Sequence, residues 1–327
     1  MMKPSIGLLK FESIFHYRIW GGEKLKTVLN KNYKGSNIGE SWEISGVKGN
    51  ETKVSEGIYK GETLRTLTDK FRVDFVGKKC FNEYGNKFPI LIKFIDAVSP
   101  LSVQVHPNDA MAKERHNSSG KNEMWFIMDA DEKADLLIGF NKELTKDSFK
   151  QCISKGELMP VLNSLEVNKG ELYYLPAGRV HSIGAGVLLA EIQQTSDVTY
   201  RVYDYDRVDK ISGKKRELHI DESVDTIDFS LIDDYKTEYS KVENQFNKLI
   251  DTPYFKTNYT SAFEEIELVY EENKSFKIFI CTEGCAILKT ENQEVNIKKG
   301  ETVLLAANEK SLTILPIGNV ELLEASY

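Results

Sequence analysis

The stretch Val167-Asn-Lys-Gly170-Glu171-Leu-Tyr-Tyr-Leu175-Pro-Ala177 lies over Ile297-Lys-Lys-Gly300-Glu301-Thr-Val-Leu-Leu305-Ala-Ala307 at a constant offset of 130 residues, without a gap. Each copy reads as a turn at Lys-Gly, a short strand, a second turn and another strand. A repeated short-stranded unit implies two β-barrels or sandwiches in one chain. The polar, acidic stretch from about Asp221 to Tyr259 is the expected boundary, giving one unit over residues 1–225 and another over 226–327. The copies differ at one telling position: His181 in the first corresponds to Ser311 in the second. If the first copy carries chemistry, the second is a structural partner or a wall of the site.

A length of 327 residues suggests about two domains. Fifteen Tyr and sixteen Phe, with many Val and Ile, favour strands, and eight prolines leave the turns mainly to Gly, Asn and Asp. The expected fold class is therefore mostly β. Helical patterning is confined to three places. Leu64, Leu67, Phe71 and Phe75 share a face over about Glu62–Val76, with Gly77 to terminate. Phe149, Cys152 and Ile153 do so over about Thr145–Ser164, where Thr145 can cap and Gly156 can end the first part. A short third helix is expected near Asn108–Arg115.

Acidic residues number 50 against 43 basic ones, a net charge of −7. Such a chain is a poor general binder of nucleic acid or anionic membrane, so an anionic ligand would need local positive charge. The apolar runs are strand-sized, and Glu12 and His16 interrupt any leader, so neither a membrane span nor a signal peptide is expected. Cys80, Cys152, Cys281 and Cys285 show no CxxC spacing. They predict neither a disulfide framework nor a zinc ribbon, and Cys281 and Cys285 read as core thiols. A soluble cytoplasmic protein is the expectation.

Five histidines occur, which makes histidine sites easy to enumerate. In Leu101-Ser102-Val103-Gln104-Val105-His106, Ser102, Gln104 and His106 fall on one strand face and the valines on the other. In Lys121-Asn-Glu123-Met-Trp125-Phe-Ile-Met128, Lys121 and Glu123 share a face. Tyr174-Leu-Pro-Ala-Gly-Arg179-Val-His181 is a strand, a tight turn and a histidine opening the next strand. Read singly, each is an ordinary surface or hydrogen-bonded arrangement. A rolled sheet, however, turns one face of each strand to a common interior. Gln104, His106, Glu123 and His181 then offer two imidazoles, a carboxylate and an amide oxygen. That set suits zinc, iron(II) or manganese, and the absence of cysteine points to a catalytic site. Lys93 lies within the apolar run Phe88–Ile95, where a buried ammonium needs a partner or its stem packs while its head reaches water. Glu191 and Gln193 share a strand face, and Arg201 and Arg207 follow a polar turn. These basic groups form either a solvated salt-bridge network or a receptor for an anionic substrate such as a sugar phosphate.

The motifs Gln104-Val-His106-Pro-Asn-Asp, Lys121-Asn-Glu123-Met-Trp125, Tyr174-Leu-Pro-Ala-Gly-Arg179-Val-His181 and Gln194-Thr-Ser-Asp-Val-Thr-Tyr-Arg201-Val-Tyr-Asp-Tyr-Asp-Arg207 resemble the type I phosphomannose isomerases. Arg18-Ile-Trp20-Gly-Gly22 and Gly39-Glu-Ser-Trp42-Glu43 extend the resemblance, to the short bacterial form of that family. It implies two cupin-like jelly-roll barrels, the C-terminal one degenerate, with the helical domain of longer members reduced to a small insertion of about 141–165 in the first. It also implies zinc-dependent interconversion of mannose 6-phosphate and fructose 6-phosphate through a cis-enediol, by a monomer or homodimer acting on a small sugar phosphate. Carried over by motif, one zinc ion per chain is held by Gln104, His106, Glu123 and His181. Arg201, Glu191 and Lys121 take catalytic positions, while Ser102, Lys93, Arg207 and Trp20 bind substrate or its phosphate. The general base is open between Glu191 and a metal-bound hydroxide. Competing readings are an iron(II) dioxygenase of the cupin type, another sugar-phosphate isomerase, and a sugar-binding module without turnover.

Overall fold

The computed structural model describes residues 6–327. The chain opens with strands β1 (Leu8–Leu9), β2 (Ile14–Tyr17) and β3 (Ile38–Ile44), then β4 (Ile90–Ala97), β5 (Val103–Val105) and β6 (Glu123–Ala130). There follow β7 (Asp135–Phe140), β8 (Leu162–Glu166), β9 (Leu172–Leu175), β10 (His181–Ile183), β11 (Val187–Gln194) and β12 (Tyr200–Tyr203). These strands after β1 form two antiparallel sheets, ordered β2-β3-β4-β11-β6-β9 and β12-β5-β10-β7-β8. The second unit contains β13 (Asn247–Asp251), β14 (Lys256–Ala262), β15 (Ile266–Val269), β16 (Lys277–Glu283) and β17 (Cys285–Lys289), then β18 (Glu294–Lys298), β19 (Thr302–Leu305), β20 (Ser311–Pro316) and β21 (Val320–Ser326). Its sheets run β1-β19-β16-β21-β14-β13 and β15-β20-β17-β18.

The order β9-β6-β11-β4-β3 thus recurs as β19-β16-β21-β14-β13 and β5-β10-β7-β8 as β15-β20-β17-β18, while β2, β12 and β1 are additions at the edges, and the repeated stretch falls on equivalent elements. β9 at 172–175 and β19 at 302–305 differ by the same 130 residues. Gly170 and Gly300 begin those strands from the same left-handed turn, with φ of 81° and 82°. Ser311, the counterpart of His181, is exposed. The N-terminal strand β1 pairs with β19, so the chain's first described residues complete the second unit's sheet.

Three strands in the middle of the first unit explain why their sequences are nearly continuous apolar runs: both faces are buried. Ile92 on β4, Phe126 on β6 and Ile192 on β11 point outward and pack with Tyr259, Ile278, Leu304 and Leu323 of the second unit. Ile95, Ile127 and Leu189 point inward, against Leu136, Ile138 and Ile183 of the facing sheet. Val103 and Val105 of β5 point outward too, beneath Phe149 and Val224. The inward face of these strands is the one that carries Lys93, Gln104, Glu123 and Glu191.

The helices are peripheral: α1 (Lys24–Thr27), α2 (Leu64–Phe71), α3 (Val73–Val76), α4 (Lys78–Tyr84), α5 (Asp109–His116), α6 (Lys146–Lys155) and α7 (Ile220–Thr226). The helix expected over 62–76 is broken at Arg72, whose φ of 52° cannot continue an α-helix. The one expected over 145–164 begins at the predicted Thr145 cap and stops at Gly156, in the left-handed conformation. Beyond it the chain makes a 3-10 turn at Met159–Val161 and enters β8. All four cysteines are free, and Cys281 is buried while Cys285 is half-buried. Among the described residues no helix is long and apolar enough to cross a membrane.

Candidate active site

Strand register builds the site from two facing rows. Across the first sheet Trp42, Lys93, Glu191, Trp125 and Tyr173 stand side by side on β3, β4, β11, β6 and β9. Across the second, Arg201, Gln104 and His181 are neighbours on β12, β5 and β10. His106 and Glu123 lie two residues from Gln104 and Trp125, on the same faces.

His106, Glu123 and His181 are all buried, and one ligating atom from each lies within 4.8 Å of the others. His106 Nε2 is 3.1 Å and His181 Nε2 3.7 Å from the Glu123 carboxylate. Each imidazole is oriented by its other nitrogen: His106 Nδ1 donates to Val198 O at 2.9 Å and His181 Nδ1 to Arg179 O at 2.8 Å. Both Nε2 lone pairs therefore face the centre, which is how metal-binding histidines are held. The Gln104 amide nitrogen sits 3.5 and 3.4 Å from those two nitrogens, and a half-turn of the amide would bring its oxygen to the same place. Lys121 puts its ammonium 3.0 Å from His106 Nε2 and in contact with Glu123, so a cation already binds the atoms a metal would share.

The protonation states suit that use. Burial lowers the His106 pKa to about 4, reinforced by the Lys121 charge. Burial likewise pushes His181 down, against the pull of Glu123. Burial alone would raise the Glu123 carboxyl, but Lys121 and His106 overcome it and hold the group well below the usual carboxylate range. Two neutral imidazoles, a carboxylate and an amide are a donor set for a divalent ion with room for exogenous oxygen ligands.

Above this cluster opens a cleft of about 430 Å³ lined by Trp20, Lys93, Ser102, Gln104, Lys121, His181, Glu191 and Arg201. Lys93 and Glu191 form a buried ion pair at 2.9 Å. Burial works against the Lys93 charge, but Glu191 and Glu40 outweigh it and raise its pKa. Arg201 donates from Nε to Ser102 Oγ at 3.2 Å and from a terminal nitrogen to Glu217 O at 2.9 Å. Arg207 is not among the lining residues. Its guanidinium donates to Asp204 O, Asp204 Oδ1 and Pro100 O. Asp204 in turn binds Arg216, at 2.8 Å from Nε, and Arg216 does line the cleft.

No site role follows from the sequence for several lining residues: Arg18, Glu40 and Trp42, which stand within quoted motifs, and Arg216 and His219. Glu40 and Trp42 alternate on β3 as Gln104 and His106 do, a signal that was available. Arg18 grips both Glu40 oxygens at 3.0 and 2.9 Å, and with Lys93 it overcomes burial to hold that carboxyl down to about 2. Arg216 and His219 lie in an irregular segment with no periodicity to read. His219 is half-buried and accepts from Arg201 N at 3.2 Å.

Residues 8–152 match the profile of the phosphomannose isomerase type I catalytic domain, and residues 248–323 that of the mannose-6-phosphate isomerase cupin domain. The chain is 35% identical to a mannose-6-phosphate isomerase of Bacillus subtilis over 91% of its length and 92% of that protein's. It is 38% identical to the mannose-6-phosphate isomerase of Streptococcus mutans, over 67% of each. The crystal structure of the Bacillus subtilis mannose 6-phosphate isomerase superposes with a TM-score of 0.88 at 31% identity, covering 98% of this chain and 99% of that one. A putative mannosephosphate isomerase from Archaeoglobus fulgidus shares the fold at 20% identity, with a TM-score of 0.77 over 98% of this chain and 97% of that one. With its buried His-Glu-His cluster beneath a polar cleft, the chain belongs to the type I phosphomannose isomerase family.

Proposed function

We propose that the chain interconverts mannose 6-phosphate and fructose 6-phosphate, using one zinc ion held by Gln104, His106, Glu123 and His181. The observation that carries this is the convergence of two imidazole lone pairs and a carboxylate at the floor of a cleft rich in cationic side chains. A bound divalent ion supplies Lewis acidity to the sugar oxygens. The side chains do the rest. The reaction moves a proton between C2 and C1 through a cis-enediol, so a base must sit over both carbons. Glu191 is the candidate carboxylate: its two oxygens accept from Lys93 and Trp125, leaving one lone pair on each for the proton. Arg201 sets positive charge at the oxyanion that develops as the proton leaves. Lys121 donates to the same oxygens or keeps Glu123 ionised.

The phosphate is assigned to the rim where Arg201, Ser102 and Arg216 meet, with Trp20 as an apolar wall; Lys93, paired with Glu191, adds positive charge to the cleft without contacting the phosphate, and Arg207 acts there by anchoring Asp204. Binding at that remote group positions the reacting carbons. Four free cysteines support a cytoplasmic setting. Isomerisation in D2O tests the mechanism. Deuterium entering C1 of the ketose and C2 of the aldose is expected; complete retention of the substrate hydrogen over many reversible turnovers would favour hydride transfer over the enediol route.

A further inference from the structure

Trp125 carries an indole N–H that two carboxylates share. Nε1 lies 3.1 Å from Glu123 Oε1 and 2.9 Å from Glu191 Oε2. The side chain is fully buried and meets the His181 ring edge-on, with centroids 5.2 Å apart at 87°. A tryptophan that merely filled the core would need an apolar cage or one hydrogen-bond partner. This one stands between the metal-site carboxylate and the cleft carboxylate, and its register partner on β11 is Glu191 itself. The Glu123 carboxylate is consequently fixed at both ends. Oε2 faces His106 and Lys121, while Oε1 faces His181 and takes the indole proton. The Glu191 carboxylate is fixed in the same way, between the Lys93 ammonium and the indole.

We propose that Trp125 is a positioning residue that sets both carboxylates through one N–H, orienting Glu123 toward the ion and Glu191 toward the sugar. The inference rests on the metal-site reading above. Removing a group that orients a metal ligand typically costs 10–100-fold in affinity. Trp125→Phe keeps an aromatic ring and deletes the donor. Replacement of Trp125 alone by 3-benzothienylalanine puts sulfur where the N–H was at nearly constant shape, and covers the case in which the phenylalanine variant fails to fold.

Zinc affinity of the metal-stripped full chain, by competition with a chromophoric chelator, is the first readout. About tenfold weaker binding is expected for either variant, against stoichiometric binding by wild type. The second readout is kinetic: kcat should fall about tenfold at saturating zinc with KM for mannose 6-phosphate within about twofold. Glu191→Gln should cost less kcat in the Trp125→Phe background than in wild type, because the indole acts partly through Glu191. Unchanged zinc affinity in the benzothienyl variant, or strictly additive kcat losses, would overturn the proposal. Absence of zinc binding by wild type would instead sink the metal-site reading on which it rests.

Discussion

Glu191→Gln tests the electrostatic construction of the cleft through stability alone. Lys93 and Glu191 are 7% and 3% exposed and 2.9 Å apart. At an effective dielectric of ~20 that separation gives about 6 kcal/mol of attraction. Desolvation of the two ions takes back several kcal/mol, so the intact pair contributes little net stability. Removing one partner is another matter, because the Lys93 ammonium keeps its desolvation cost and loses its ligand. Such losses run to about 3–5 kcal/mol. The low end applies here, since Glu40 still favours the Lys93 charge. A loss of about 3 kcal/mol, at a urea dependence of ~3 kcal/mol/M, moves the unfolding midpoint down by about 1 M. Replacing both partners with apolar residues, Lys93→Met with Glu191→Leu, should restore the midpoint to near wild type. The reasoning fails if the single variant unfolds within ~0.1 M of wild type, or if the double variant is worse than the single.

The other expectations concern separate parts of the molecule. Arg216→Ala should raise KM for mannose 6-phosphate tenfold or more, about one charge-assisted hydrogen bond, with kcat little changed. Arg207→Ala should do less, because Arg207, unlike Arg216, does not line the cleft and all three of its guanidinium nitrogens donate to Asp204 or Pro100; equal effects in steady-state kinetics would contradict this division. Burial raises the Asp96 carboxyl from 3.8 to about 6. Protonation is thereby favoured in the folded state: the extra stability of about 3 kcal/mol is complete below pH 3.8 and is lost as pH rises through 6. Asp96→Asn should flatten that slope in pH-dependent urea melts, and an unaltered slope would refute the assignment. Thr145 caps α6, its Oγ1 accepting from Ser148 N at 3.2 Å, so Thr145→Ala should cost about 1 kcal/mol by the same measurement.

Much of the site is legible in the sequence because strand alternation is a local code. Ser102, Gln104 and His106 share a face whatever the rest of the chain does, and so do Lys121 and Glu123. The repeat likewise marked equivalent strands, since a Lys-Gly turn with positive φ is a local requirement. What was not legible depends on distant pairing. Nothing near Leu8 announces that β1 joins β19 some 300 residues later. Arg216 reaches the cleft because Asp204 draws it in, across an irregular segment with no period. α4, with Cys80 its one buried residue, has too narrow an apolar face to show as a periodic pattern. Arg72 breaks a helix that its apolar spacing would have continued. Arg207 shows the converse: its motif draws attention to a guanidinium whose donors are used within the fold.

A metal held by His106, Glu123 and His181 is expected to work on a sugar phosphate in the cleft above it. The direct measurement is metal content of the purified chain alongside a coupled assay for fructose 6-phosphate formed from mannose 6-phosphate, for wild type and His181→Ala. One zinc ion per wild-type chain is expected, with turnover that is lost on chelation and restored by zinc, and neither metal nor turnover in the variant. Full turnover by the metal-stripped chain, or by His181→Ala, would contradict it.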